Sequence, residues 1–210
     1  MAGRGFRAGG ARWLLASALA LAVLAGSARE GRAAAGRPRA RIAVAAERRL
    51  AIQQIDPVEQ LSTLQCIEDA RERLPEKYRR RGNFAWARAD IAGLEKREYF
   101  AHSGIHRMGK ITGEAAERMA EISLRPKKGR FEVLCVNHDD EIEGPNCWPR
   151  HVDTEYKILE DLARQMPDER AAGEVLLYTD LYPCASCRYV MRQFLTVYSN
   201  VSLRVLFREY

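Results

Sequence analysis

The stretch "EVLLYTDLYPCASCRYVMRQFLTVYSNVSLRVLF", residues 174–207, limits the fold more than any other part of the chain. It opens with "VLLY", four apolar or aromatic residues in a row, so an extended segment here has no polar face. Such a strand is stable only with both faces covered. A proline breaks the run. "CASCRYVMRQFLTVY" then switches to helical spacing, with Cys187, Val190, Met191 and Phe194 on one stripe, and "VSLRVLF" returns to an extended pattern. A helix crossing between neighbouring strands implies an α/β layered sheet.

The alternation extends upstream. "DTEYKILEDLARQM" places Ile158, Leu159, Leu162, Ala163 and Met166 on one side of a helix, and "FEVLCV" predicts a compact strand. Between them "NHDDEIEGPNCWPR" reads as a polar loop, and "TGEAAERMAEISL" as a short helix. In "NFAWARADIAGLEKREYFAHSGI" the residues Phe84, Trp86 and Arg88 alternate with Ala85, Ala87 and Ala89, and Gly93 punctuates before "REYFAHS". That pattern predicts an antiparallel hairpin. "AERRLAIQQI" and "PVEQLSTLQCIEDARERL" read as helices, with Asp56 placed to cap the second and Pro57 in its first turn. The expected fold class is α/β, a mixed sheet with an N-terminal hairpin and helices packed on it. The chain stops soon after its last predicted strand, so an open sheet edge is expected there.

Charge is unevenly distributed. The 34 Lys and Arg exceed the 28 Asp and Glu by six, but residues 1–46 hold eight Arg and one Glu. The remainder carries 26 basic and 27 acidic residues, a net of −1. Affinity for a polyanion needs concentrated Lys and Arg to neutralise phosphates, and this body has no such excess. Arg4, Arg7 and Arg12 precede the uncharged "WLLASALALAVLAG" and the small residues "AGSA", the order of a secretory signal. That run is shorter than the ~20 residues a transmembrane helix needs. The expected location is the secretory pathway. A mitochondrial or plastid transit peptide is the alternative, because arginines recur through "GRPRARIAV".

Five cysteines, Cys66, Cys135, Cys147, Cys184 and Cys187, make an odd count for a disulfide scaffold. Cys66 and Cys135 read as small core side chains, although in an exported chain Cys135 and Cys147 form a conceivable disulfide. Cys184 and Cys187 stand apart, three residues apart at a helix start just after a buried strand. Unpaired backbone N–H groups there favour thiolates, and two thiolates at this spacing close on one zinc. A redox pair is the competing reading. On the other helix, Glu155 falls on the apolar stripe one turn before Ile158 and Leu159. Burial of a carboxylate there costs desolvation unless a partner or the helix N-terminus stabilises it.

Taken together, "DTE" at 153–155 and "PCASC" at 183–187, each opening a helix with a strand between, resemble the zinc-dependent nucleotide and nucleic-acid deaminases. "AWARADIAGLEKREYFAHSGI", "DTEYKILEDLA" and "EVLLYTDLYPCASCRYVMRQF" look like the branch of that superfamily found as toxin domains in bacterial polymorphic toxin systems and in some eukaryotes. The likeness covers roughly residues 83–207. It implies a cytidine deaminase-like fold and Zn2+ held by Cys184 and Cys187. Glu155 would act as the proton shuttle, and His102, Ser103 and Gly104 would line a pocket for a nucleobase-containing substrate, a nucleotide or a single-stranded nucleic acid. The chain departs from the family pattern at the third ligand. The usual His or Cys two residues before the glutamate is Asp153 here. Asp153 is the first choice, since carboxylate oxygen binds zinc, although it is also placed to be a plain helix cap. His151 is the second choice, and His102 or His138 the last. For His102 a strand-end histidine bonded to backbone is an equal reading.

The resulting division is a targeting segment at 1–28, a basic Ala/Gly/Arg linker at 29–46, an N-terminal helical region at 47–82 and a deaminase-like domain at 83–210. The leading function is zinc-dependent hydrolytic deamination of a nucleobase. The alternatives are an inactive deaminase-fold binding protein with structural zinc, and a thiol-disulfide protein using Cys184 and Cys187.

Overall fold

The computed structural model describes residues 46–209. The expected targeting segment at 1–28, and all of the linker at 29–46 except Ala46, lie outside the described residues. In chain order the elements are β1 Leu50–Gln54, α1 Leu61–Glu72, α2 Glu76–Arg79, β2 Phe84–Ile91, β3 Glu98–His102, α3 Glu114–Arg118, β4 Cys135–Val136, β5 Trp148–Pro149, α4 Thr154–Gln165, β6 Gly173–Leu181, α5 Ala185–Val197 and β7 Val201–Glu209. Five strands form one mixed sheet in the order β1-β7-β6-β2-β3. β6 and β7 run parallel, bridged by α5, whereas β2 pairs antiparallel with both β6 and β3.

Both faces of the sheet are packed, as the unbroken apolar run in β6 requires. On one face α4 and α5 lie over Ala85, Ala87, Ala89, Ile91, Val175, Leu177, Leu203 and Val205, contributing Ile158, Leu159, Leu162, Val190, Met191 and Phe194. The three alanines of β2 leave room for a helix to come close to the backbone. On the opposite face α1 covers Phe84, Trp86, Phe100, Tyr178 and Leu206 with Ile67 and Ala70. Arg71 of α1 reaches the sheet as a fork, its two Nη atoms 3.1 and 2.7 Å from the Asp180 carboxylate. Cys66 is a free, partly buried thiol against this second core.

The expected hairpin is β2–β3. Four expectations are corrected. "AERRLAIQQI" is not a helix. After one helical turn at Ala46 and Glu47 it becomes β1, parallel to β7, with Leu50 opposite Leu203 and Gln54 opposite Phe207. The edge of a buried strand offers a row of backbone partners, and that outweighs local propensity. The edge expected to be open beside β7 is therefore covered by β1. "FEVLCV" is a strand only at Cys135–Val136, which pairs with Trp148–Pro149 in a separate small hairpin stapled by a Cys135–Cys147 disulfide. Asp56 caps a turn rather than the helix: its Oδ1 accepts from the N–H groups of Val58 and Glu59, and α1 begins later, at Leu61.

The apolar stripe of α4 is only part of its buried surface, because every residue from Thr154 to Ala163 is buried. Loops folded over its outer side satisfy the polar residues there. Glu160 accepts from the N–H groups of Arg130 and Phe131, and Asp161 accepts from Ser123 and Lys96. Among the described residues, no helix is long and apolar enough to cross a membrane.

Candidate active site at the starts of α4 and α5

The two helices that carry the sequence motifs start side by side at the end of β6. Asp153 occupies the cap position of α4, with φ −66° and ψ 146°, yet its side chain makes no capping hydrogen bond. Its Oδ2 instead receives both thiols, 3.3 Å from Cys184 Sγ and 3.3 Å from Cys187 Sγ, and the two sulfurs are 3.5 Å apart. Among the described residues these three side chains are the group whose donor atoms converge closely enough for a metal ion. Tetrahedral zinc with ordinary bond lengths needs edges of about 3.6 Å between sulfur and oxygen and about 3.8 Å between sulfurs. The observed triangle is within a few tenths of an ångström of that, so the donors fit.

Glu155 is almost fully buried beside this triangle. The hydroxyls of Thr154 and Thr179 donate to its two oxygens at 2.9 and 3.0 Å, and Oε2 lies 3.5 Å from Cys187 Sγ. Burial pushes its carboxyl above the usual carboxylate range, and the charge of Asp153 adds to this, against the pull of the hydroxyl donors. The Cys187 thiol is likewise driven well above its ordinary value, first by its hydrogen bond with Cys184, then by burial and by the two carboxylates. Four acidic groups crowd into one small space. A cation there relieves all of them.

Asn83 organises the floor. Its amide nitrogen donates to Thr154 and Thr179 at 2.8 and 2.9 Å, and its backbone N–H donates to Ser103 Oγ at 2.9 Å. Gly82 makes this approach possible. Its φ is +73°, and a Cβ there would lie 2.7 Å from Ser103 Oγ. An open cleft of about 520 Å³ leads to the site, lined among others by Asn83, Ser103, His138, Trp148, Arg150 and Tyr182 together with Asp153, Glu155 and both cysteines. Its size suits a small ligand.

The residues singled out in the sequence are thus partly united. Asp153, Glu155, Cys184, Cys187 and Ser103 share the cleft. His102 is buried and turned to backbone, with Nε2 2.5 Å from the Arg81 carbonyl and Nδ1 accepting from Gly104 N–H at 3.0 Å. Gly104 packs on that ring. His151 stands apart from the three donors, its ring edge-on to Tyr156, and His138 lies edge-on to Trp148 in the cleft wall. Sequence reasoning passed over Asn83, Thr179, Trp148, Arg150 and Lys157. The one local signal was the glycine before Asn83, which marks a close approach at a strand start.

Residues 67–209 match the model of the toxin-deaminase family, described as the BURPS668_1122 family of deaminases. Comparison with curated proteins and with solved structures returns no match. The matched span takes in the second half of α1, all of β2 to β7, and both helix starts that build the site. With its mixed five-stranded sheet and helices packed on it, the chain belongs to the toxin-deaminase family.

Proposed function

We propose that the protein is a zinc-dependent hydrolase that deaminates a nucleobase in a nucleotide or a single-stranded nucleic acid. Asp153, Cys184 and Cys187 hold the zinc and Glu155 moves the protons. The observation that carries this reading is the convergence of Asp153 Oδ2 on both sulfurs, with Glu155 held just outside the triangle by two threonine hydroxyls. Zinc, when bound, supplies Lewis acidity that makes water a nucleophile near neutral pH.

The chain's own residues do the rest. Thr154 and Thr179 fix the carboxylate plane of Glu155, and Asn83 fixes both hydroxyls. Oε2, the oxygen facing Cys187, takes a proton from the attacking water and delivers it to the ring nitrogen. It then helps transfer a proton to the leaving amine. The ring carbon gains a C–O bond and loses its C–N bond, and ammonia departs. The walls formed by Trp148, His138 and Tyr182 present ring surfaces to a flat base.

A structural zinc in an inactive fold is the second reading, favoured by the carboxylate at Asp153, which departs from the His or Cys of the pattern and adds negative charge compared with His. A thiol-disulfide role fits less well, because Asp153 Oδ2 lies 3.3 Å from both sulfurs and a carboxylate so close opposes the thiolate that exchange needs. We also assign residues 1–28 to a secretory signal, to be tested by sequencing the N-terminus of the exported chain.

The test is elemental analysis of the purified chain with ammonia release from cytosine- and adenine-containing nucleotides and single-stranded oligonucleotides. Wild type and His151→Ala are expected to hold about one zinc, and Asp153→Ala to lose it. Glu155→Gln should keep the metal and lose ammonia release. A metal-free wild type with freely oxidisable Cys184 and Cys187 would sink the proposal. Zinc retained in wild type with no ammonia from any base would leave the structural-zinc reading.

A further inference from the structure

The helix bearing the two cysteines is short of caps of its own. Its cap residue is Cys184, whose sulfur accepts weakly from Cys187 N–H at 3.5 Å, and no acidic residue lies in its first turn. If that sulfur is committed to metal, its capping capacity is diminished. An oxygen from elsewhere in the chain takes over part of this task. Asp140, on the loop between β4 and β5, places Oδ1 2.5 Å from Ala185 N–H, and its Oδ2 accepts from Arg188 Nη2 at 2.7 Å. Arg188 turns its other nitrogen to the Pro183 carbonyl at 2.6 Å, so the ion pair brackets the whole Pro183–Arg188 turn that presents both sulfurs.

The loop is built to hold Asp140 there. Asn137 Oδ1 accepts from the N–H groups of Asp139 and Glu141, and Asn137 N–H bonds back to the Glu141 carbonyl. Asp140 sits at the crest with φ +62°, a left-handed conformation that Asp tolerates better than most residues. The Cys135–Cys147 disulfide closes the base of the loop. The same loop brings Asn137, His138 and Asp140 to the cleft, with Trp148 just beyond its second cysteine.

We infer that Asp140 is a positioning residue for the site: from a disulfide-closed loop it caps α5 in trans and thereby fixes the geometry of Cys184 and Cys187. This rests on the proposed role of those cysteines as metal ligands. The charge of Arg188 balances that of Asp140, so the cap does not oppose thiolate formation.

Asp140→Ala and Asp140→Asn separate the cap from the charge. Both remove the ion pair, and only Ala removes the acceptor for Ala185 N–H. Asp140→Gly, which removes the acceptor without strain at this left-handed φ, controls for the backbone and should match Ala. The full chain is compared by amide hydrogen exchange, with and without EDTA, and by zinc affinity in competition with a chelator. A helix cap is worth enough to change exchange about fivefold. The expected result is exchange at residues 185–188 about fivefold faster in Asp140→Ala than in Asp140→Asn, with exchange in α4 equal and zinc bound several-fold more weakly by the Ala and Gly variants alone. Cys135→Ser/Cys147→Ser should accelerate the same amides by freeing the crest. Equal exchange in the Ala and Asn variants overturns the inference. Faster exchange with equal zinc affinity also overturns it, by reducing Asp140 to a structural cap. A wild type that takes up no zinc defeats the proposed function instead, and the exchange in metal-free protein still decides whether Asp140 fixes the turn.

Discussion

Lys157 gives the sharpest test of the packing beside the site. It is fully buried in α4, and Nζ donates to the His102 carbonyl at 2.7 Å and the Ile105 carbonyl at 2.8 Å. Two acceptors match the two N–H bonds of a neutral amine, whereas an ammonium brings a third donor. Burial pushes the amine down to about 7 from 10.5. Arg125 presses the same way, while Asp153 and Glu155 pull against it. His106, itself lowered by burial and by Lys157, titrates below this range. Because the folded pKa lies below the unfolded one, the unfolded chain binds the extra proton between pH 7 and 10.5. Stability therefore rises with pH across that window, and the full cost persists below about pH 7. A shift of this size is worth at most about 5 kcal/mol, with a slope near 1.4 kcal/mol per pH unit.

Lys157→Met removes the titration but leaves two carbonyls without donors, at about 1–3 kcal/mol each. The absolute stability of the variant thus reflects opposing terms. The pH dependence of the difference does not. Urea unfolding of both proteins at intervals from pH 7.5 to 9.5 should show wild-type stability gaining about 2.5 kcal/mol on the variant across that range. Cys187 also titrates differently in the folded and unfolded chain, but it is common to both proteins and cancels to first order. Tyr99 and Tyr178, both raised by burial, matter only in more alkaline solution. A stability difference that stays flat from pH 7.5 to 9.5 would refute a neutral Lys157.

Two further outcomes are expected. Burial raises the Asp161 carboxyl, but Lys96 and Ser123 outweigh it and hold the group below its ordinary value. Asp161→Ala leaves the buried Ser123 hydroxyl without its acceptor, while Lys96 keeps Glu121 and Arg164 faces solvent, so it should cost about 1–3 kcal/mol in urea unfolding at pH 7; the wild-type contribution should be lost only as acid titrates the carboxylate. Gly82→Ala forces a Cβ to 2.7 Å from Ser103 Oγ at a φ of +73°, so stability should drop by about 1–2 kcal/mol, with ammonia release falling further than stability alone explains.

What could be read from the sequence follows the range of the forces involved. β6, α5 and β7 were legible because their apolar patterns are local and strong. β1 was not, since "LAIQQ" is short and takes its identity from the β7 edge it completes. The roles of Lys157, Glu160 and Asp161 were hidden because charged residues on a helix normally mark its wet side; here loops distant in sequence cover that side and supply the partners. At the site, Glu155 and the cysteines stood out through spacing. Asn83 and Asp140 did not, because each acts only across a fold that brings residues 71 and 45 positions away against it.

An aspartate at position 153, where the sequence resemblance implies a His or Cys, makes physical sense beside Arg150. On the proposed reading, two thiolates and a carboxylate carry three negative charges against the two positive charges of zinc. Asp153 divides its oxygens: Oδ2 faces the sulfurs, and Oδ1 lies 3.8 Å from Arg150 Nη1. At that distance a partly buried pair interacts by about 4 kcal/mol before desolvation is counted. The guanidinium is fixed for this task, 4.1 Å over the Trp148 ring and bonded to the Asn137 carbonyl at 3.2 Å. A histidine ligand ordinarily gives its second nitrogen to an outer partner that orients it; here the second carboxylate oxygen meets a cation instead, which both orients the ligand and offsets its added charge. Asp153 is therefore intelligible as half of a pair with Arg150. The loop that supplies Asn137 also supplies the cap on the cysteine helix, so all three donors are steadied from one disulfide-closed segment.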